Sequence, residues 1–369
     1  DYLRGTNNWS RGRYSSASFD RNLRIVANAV LNYKKEFGMN SIDGLVGTEY
    51  YDDYVKGFAA SGSGAPTDDF MALGYTSADK DKRSISSYHR RERIMSYFGR
   101  ANYDYDAKYL LSAIFRYDGY SRLLGDNRWG FFPGVSAGWV FTKEPFMQDL
   151  SDKLNMSFGK LRSSYGVNGN VSGIGPYTLQ GSYSAPKYDG LVGNLVGTIP
   201  NPYLRWERSN TFEIGADLSF WQNKLTTNIT YYNRLTTDKF ANIPLPTTSG
   251  ISSITTNNGA IRNKGVEVQI DYRAINTKDW KWNLSLNGAF NKNIVVKLPD
   301  NGLERNRQGA FEVYTGNGDE KIWVGGYQEG QEPGVLYAYK AEGIYKSYDE
   351  IPGNLIDRST GNNGSNNMW

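Results

Sequence analysis

Cysteine is absent from all 369 residues, which excludes a disulfide framework and thiolate metal sites. Histidine occurs once, as His89 in SYHRRER, so a Ser-His-Asp triad or a zinc centre would have to use that ring. A solvated loop or rim position is the plainer expectation. Long hydrophobic runs are lacking too: no stretch has the roughly 20 apolar residues of a transmembrane helix. Membrane-spanning strands stay open, because they need only about ten alternating residues. Neither sign of charge dominates. The formal net charge of +4 makes no case for nucleic acid, although Arg90, Arg91 and Arg93 form one basic cluster. There is no P-loop or dinucleotide fingerprint, and acidic pieces such as Asp68-Asp69 and Asp300-Asn301 lack the spacing of a calcium loop. The Asn-X-Ser/Thr matches at Asn8, Asn155, Asn228 and Asn283 are what an Asn-rich chain produces by chance. No secretory leader opens the chain. Asp1 and the polar run before Trp369 read as the ends of a fragment or processed piece.

What is present is aromatic residues and glycine: 28 Tyr, 16 Phe, 9 Trp and 41 Gly, with a mean hydropathy of −0.60. This mixture suits many strands and turns rather than long helices. The clearest stretch is Thr211 to Tyr232. Phe212, Ile214, Ala216, Leu218 and Phe220 share one parity; Glu213, Gly215, Asp217 and Ser219 share the other. A strand sends alternate side chains to opposite faces, so one face is apolar and one polar. Trp221 to Lys224 reads as a tight turn, and Leu225, Thr227, Ile229 and Tyr231 resume the alternation.

The same pattern recurs as a meander, with strands expected near 21–34, 42–55, 94–105, 109–117, 135–141, 154–166, 266–272 and 280–290. A change of parity between Phe158 and Leu161 predicts a β-bulge. Connections alternate in length. Short ones fall near 35–40, 106–108, 142–153, 221–224 and 276–279. Long ones fall near 57–88, 118–132, 167–208, 239–261 and beyond 298. In an up-and-down meander every second connection lies on one side, so one rim carries turns and the other loops, as in outer-membrane barrels. Tyr103, Tyr105, Trp139, Phe141, Phe220, Trp221, Trp280 and Trp282 cluster beside the short turns, where a membrane-interface girdle belongs.

The polar parity carries Glu213, Asp217, Asn228, Arg234, Glu267, Gln269, Asp271, Lys281 and Asn283. A small soluble barrel packs apolar side chains inside. This pattern fits either a barrel with its apolar face to lipid and a wet lumen, or a sandwich with a wet outer face. Long strands and unequal loops favour the membrane. The 38 acidic residues leave a glycosidase-type carboxylate pair open, but acids at this parity suit a water-filled interior better. The expectation is no enzyme, no catalytic residue, no cofactor and no metal.

Several segments together resemble the SusC/RagA-like TonB-dependent transporters of the outer membrane of Gram-negative, Bacteroidetes-type bacteria. They are SYFGRANYDYDAKYLLSAIFRYDGYSR (96–122), DNRWGFFPGVSAGWVFTKEPFM (126–147), LRSSYGVNGN (161–170), NPYLRWERSNTFEIGADLSFWQNKLTTNITYYNRLTTD (201–238) and NKGVEVQIDY (263–272). Fainter echoes are FNKN (290–293) and YAYKAEGIYKSYDEI (337–351). The resemblance implies an all-β, antiparallel transmembrane barrel of about 22 strands, with short periplasmic turns, long extracellular loops and an N-terminal plug. It also implies uptake of oligosaccharide or peptide cargo, powered by the TonB complex through the plug region, beneath a SusD-like surface lipoprotein. About half of such a barrel is legible, with strands over about 21–298 and mostly extracellular loop over 299–369; no plug or TonB box is recognisable. Half a barrel has open edges that lipid cannot satisfy, so the chain is expected to need the rest of a longer polypeptide.

The alternatives are a passive outer-membrane porin, a secreted or surface β-sandwich adhesin or glycan-binding module, and a β-rich hydrolase. For substrate contact the candidates are loop aromatics: Tyr177, Tyr183, Tyr188 and Tyr203 in the 167–208 loop and Trp129 in the one before. Flat rings stack on sugar faces or peptide groups; packing of loop on loop is the competing use.

Overall fold

The computed structural model describes residues 12–350 apart from 68, 71, 186, 189–190, 316–319, 339, 341–342, 345 and 348–349, together with 356–357 and 362–363. Ten strands form one antiparallel sheet in which each pairs with its neighbours in chain order. They are β1 (Ser15–Phe37), β2 (Asn40–Gly62), β3 (Arg83–Tyr105), β4 (Tyr109–Tyr120), β5 (Trp129–Trp139), β6 (Met156–Asn170), β7 (Glu207–Phe220), β8 (Leu225–Pro244), β9 (Ser253–Asn276) and β10 (Lys281–Lys297). A single helical turn, α1 (Gln148–Lys153), lies between β5 and β6. Short strand pairs decorate the connections: Ser182–Ser184 with Leu195–Thr198, and Phe311–Tyr314 with Lys321–Val324.

Four of the short connections close tightly, but the fifth, 140–155 with α1, is longer than the loop-rim connections 121–128 and 245–252. Phe37 pairs with Asn40 around Gly38, whose φ of +59° suits a residue without Cβ. Tyr105 pairs with Tyr109 across a loop whose Asp106 and Ala107 both have positive φ. Asp104 Oδ1 steadies that loop by accepting from the Ala107 amide at 2.6 Å. These turns and 221–224 share one rim with the β9–β10 turn; the long connections share the other.

Several strands run further than the alternation predicts. β3 begins at Arg83 rather than near 94, and β8 continues to Pro244. The long connections shrink accordingly, to 63–82, 121–128, 171–206 and 245–252. Toward the loop rim both faces become polar, so the alternation of apolar residues fades while the backbone ladder continues. A bulge is present but lies before Phe158, not after it: Ser219 pairs with Phe158 and Phe220 with Met156, leaving Ser157 as the extra residue and Phe158 on the polar parity with Ser219. It restores Leu161 and Tyr165 to the apolar face. The alternating piece 335–345 takes no strand among its described residues; alternation without a partner strand leaves the backbone groups without a ladder.

The two faces differ as the parity requires. The apolar face stands uncovered: Leu31 is 71 % exposed, Leu286 66 % and Phe290 70 %. Among the described residues no second sheet packs on it, so the sandwich reading lacks its other half. The buried apolar cluster lies instead at the loop rim, where Tyr120, Leu123, Val171, Ile174, Leu179 and Leu204 pack with Trp206 and Phe240.

Candidate functional site

The polar face is a continuous wall of charged and hydrogen-bonding side chains. At its centre Asp217 on β7 faces Lys160 on β6 across a paired position. Lys160 Nζ lies 2.8 Å from Asp217 Oδ2, and Arg162 Nε lies 3.2 Å from Oδ1. Arg162 spans the β7 strand to reach Asn228 Oδ1 at 3.0 Å and Thr230 Oγ1 on β8. Gly215 makes that reach possible: a Cβ there would sit 2.9 Å from the Arg162 guanidinium carbon. Asn228 closes the network by donating to Asp217 at 2.9 Å. Paired charges at a wetted wall hold one another in place without the desolvation cost of a dry interior.

Clefts lie on either side of this network. One of about 510 Å³ is lined by Asp43, Asn102, Asp104, Ser112, Lys160 and Arg162. Another, of about 470 Å³, is lined by Glu213, Thr230, Tyr232, Arg234, Glu267 and Asn291. Both offer mixed charges and amide groups, which can hold polar cargo or a polar protein segment.

Nearer the loop rim, Arg116 grips Asp118 through Nε at 2.8 and 3.0 Å, and reaches Glu49 at 3.1 Å and Ser96 at 2.8 Å. Above it Glu92 accepts from the Tyr120 hydroxyl and from Arg122, both at 2.7 Å. Arg122 also donates to the Ile174 carbonyl at 2.7 Å. Trp206 donates to the Arg128 carbonyl at 3.1 Å and stacks edge-on against Phe132. The base of the 171–206 loop is therefore pinned to the sheet by one ion pair and one apolar cluster. Sequence reasoning missed Arg122 and Trp206; their places beside strand ends were the only signal.

The predicted cargo aromatics separate. Tyr177, Tyr183 and Tyr203 are exposed on the long loop. The Tyr188 side chain lies outside the described residues. Trp129 is not a loop residue: it opens β5, pairs with Gly119, and stacks on Tyr117 at 4.8 Å between ring centroids. That register puts it on the apolar face with Tyr97 and Tyr117, away from the wall. The flanking GDNR stays in the connection as a 3-10 turn, and the ladder ends at the Gly119–Trp129 pair itself.

The eight residues singled out for a girdle lie at the short-turn rim. Tyr103 donates to Asn40 at 2.6 Å, Tyr105 stacks near Tyr109, and Trp139 meets Phe141 edge-on at 6.0 Å. Phe220 and Trp221 are neighbours, while Trp280 and Trp282 are exposed. Glu144, in the β5–β6 connection, ties this cluster together. Its Oε1 accepts from Tyr109 at 2.5 Å and Trp139 at 3.1 Å, and Lys108 stands 3.6 Å from Oε2. The Tyr109 and Trp139 bonds hold its carboxyl below the usual carboxylate range, against the cost of burial and with help from Lys108.

His89 lies on β3 toward the loop rim rather than in a loop, on the same parity as Arg91 and Arg93. Among the described residues no group of His, Asp or Glu is arranged to hold a metal ion.

Comparison with known proteins places this geometry. The family described as TonB dependent receptor-like, beta-barrel matches residues 1–360. TonB-dependent receptor P3 of Formosa agariphila is 32 % identical over 322 residues, covering 86 % of this chain and 31 % of the relative. TonB-dependent receptor SusC of Bacteroides thetaiotaomicron is 30 % identical over 346 residues, covering 90 % and 33 %. The RagAB peptide transporter superposes with a TM-score of 0.72 at 25 % identity, over 85 % of this chain and 34 % of that one. The chain spans about a third of the length of the curated relatives it matches.

Proposed function

This chain belongs to the TonB dependent receptor-like β-barrel family, and from that premise we propose that it forms part of the wall of an energised outer-membrane importer. The receptor is of the SusC/RagA type. Its cargo is an oligosaccharide or a peptide, and its work is transport rather than catalysis. The observation that carries this reading is the contrast of faces on one sheet. An uncovered apolar face suits the hydrocarbon of the bilayer, and an ion-paired face suits a water-filled lumen. A plug from the longer polypeptide fits against the Lys160–Arg162–Asp217 wall, where two clefts of several hundred Å³ stand open, one lined by charged and apolar residues and one mainly polar. The long-loop rim, with Tyr177, Tyr183 and Tyr203 exposed, meets cargo and a SusD-like surface lipoprotein.

The test is uptake by the full-length parent in its outer membrane, with labelled oligosaccharides and peptides supplied in turn. Uptake that stops when the proton-motive force is collapsed supports an energised importer. Uptake that persists, with steady conductance in planar bilayers, would replace it with a passive porin. A parent that extracts without detergent and shows no heat-dependent gel shift would return the surface β-sandwich.

A further inference from the structure

The outward face of β1, β2 and β3 changes character at one level. From Tyr105 to Met95 its positions on β3 are Tyr103, Ala101, Gly99 and Tyr97, all uncharged. Ten residues at about 3.3 Å each, tilted by roughly 40°, rise about 25 Å, the height of the apolar band of an outer-membrane barrel. The next outward row toward the long loops is Ile25, Asp52 and Arg93. After it come Leu23, Tyr54 and Arg91, and then Arg21, Lys56 and His89. Four permanent cations thus share this face with one carboxylate, just past the end of the band.

That carboxylate does not cancel the patch. Asp52 is 4 % exposed and lies beneath the guanidiniums. Arg91 holds it in bidentate fashion, at 2.8 Å through Nε and 2.6 Å through Nη2, while Arg93 Nε reaches it at 3.2 Å. Tyr50 donates a further bond at 2.9 Å. Both arginine side chains stay about half exposed, 50 % and 48 %. One buried acid therefore fixes two guanidiniums with their remaining N–H groups turned outward. Paired, pre-positioned guanidiniums match the oxygens of a phosphate group.

We infer that this outward patch of Arg21, Lys56, Arg91 and Arg93 binds the phosphorylated headgroup of an outer-leaflet lipid. The inference rests on the membrane orientation in the proposed function. Charge complementarity names the occupant. The patch sits at headgroup depth on the lipid side, so a soluble anion reaches it only from the edge of the bilayer. The apolar rows beneath it, with Ala27, Ala29 and Tyr97 exposed or half-exposed, lie where acyl chains would run.

The experiment purifies the full-length parent in mild detergent and counts retained lipid phosphorus by native mass spectrometry. Four proteins are compared: wild type, Arg91→Gln with Arg93→Gln, Arg21→Gln with Lys56→Gln, and Arg90→Gln, whose residue has the opposite parity. Each double variant is expected to retain about tenfold less phosphorylated lipid, the scale of losing charged hydrogen bonds to an anion. Arg90→Gln should match wild type. Adding back enzymatically dephosphorylated lipid should not compete, and inorganic phosphate should compete only weakly. Equal retention by wild type and both double variants, in barrels that still shift on heating, overturns the lipid assignment alone. Strong binding of inorganic phosphate without lipid retention overturns it in favour of a free-anion site. A parent soluble without detergent overturns the membrane reading and this inference with it.

Discussion

The Tyr109 hydroxyl donates to Glu144 Oε1 at 2.5 Å, tying the start of β4 to the connection that leaves β5. Because the folded state holds the Glu144 carboxyl below its ordinary range, it releases its proton more readily folded than unfolded. Its contribution is therefore present above the unfolded value of about 4.3 and is lost as pH falls through the folded one. Acid titration of the parent should change the emission of Trp139 below about pH 4.3. Glu144→Gln should remove that step while leaving the neutral-pH spectrum close to wild type. An unchanged acid step in the variant would assign it to another carboxylate.

Asp217 is the shared acceptor for Lys160, Arg162 and Asn228. Asp217→Ala leaves two cations adjacent and without their carboxylate, and should destabilise the reconstituted barrel by about 1–3 kcal/mol. Asn228→Ala removes one donor and should cost less. Urea unfolding midpoints order the two variants; a larger cost for Asn228→Ala would contradict this arrangement.

The Phe132 ring lies over two glycines: Cβ atoms at Gly169 and Gly130 would come within 2.1 and 2.3 Å of it. Gly169→Ala should displace the ring from its edge-on contact with Trp206, at about 1–3 kcal/mol. In a Phe132→Ala background the same glycine substitution should cost less, because the clash disappears with the ring. A double-mutant cycle that is strictly additive would refute the coupling.

Tyr177, Tyr183 and Tyr203 are exposed on the long loop, whereas Trp129 stacks on Tyr117 on the opposite face from the wall. Alanine at each of the three tyrosines in turn should raise half-saturating cargo about fivefold, at about 1 kcal/mol per stacked ring. Trp129→Ala should leave uptake affinity unchanged and lower thermal stability instead. The reverse pattern would move cargo contact to the β5 end.

Much of this protein is decided by a period of two. Phe212 to Phe220 against Glu213 to Ser219 settles the faces of β7 without any partner. Repeated along the chain, that rule yields the order of strands and the alternation of turns with loops. It works because side-chain direction in a strand is local. The parity break near Phe158 was legible for the same reason.

What the period could not reach depends on residues far apart in sequence. The upper halves of β3 and β8 lack an apolar alternation, and only their ladders to neighbouring strands make them strands. Trp129 reads as a loop aromatic until Gly119 pairs with it. Glu144 becomes a clamp only when β4 and β5 bring Tyr109 and Trp139 to one oxygen, and Arg162 joins three strands because Gly215 leaves it room. Local sequence determined which face each residue occupies; tertiary structure decided which residues meet on it, because register, not parity, sets the distance between side chains on different strands.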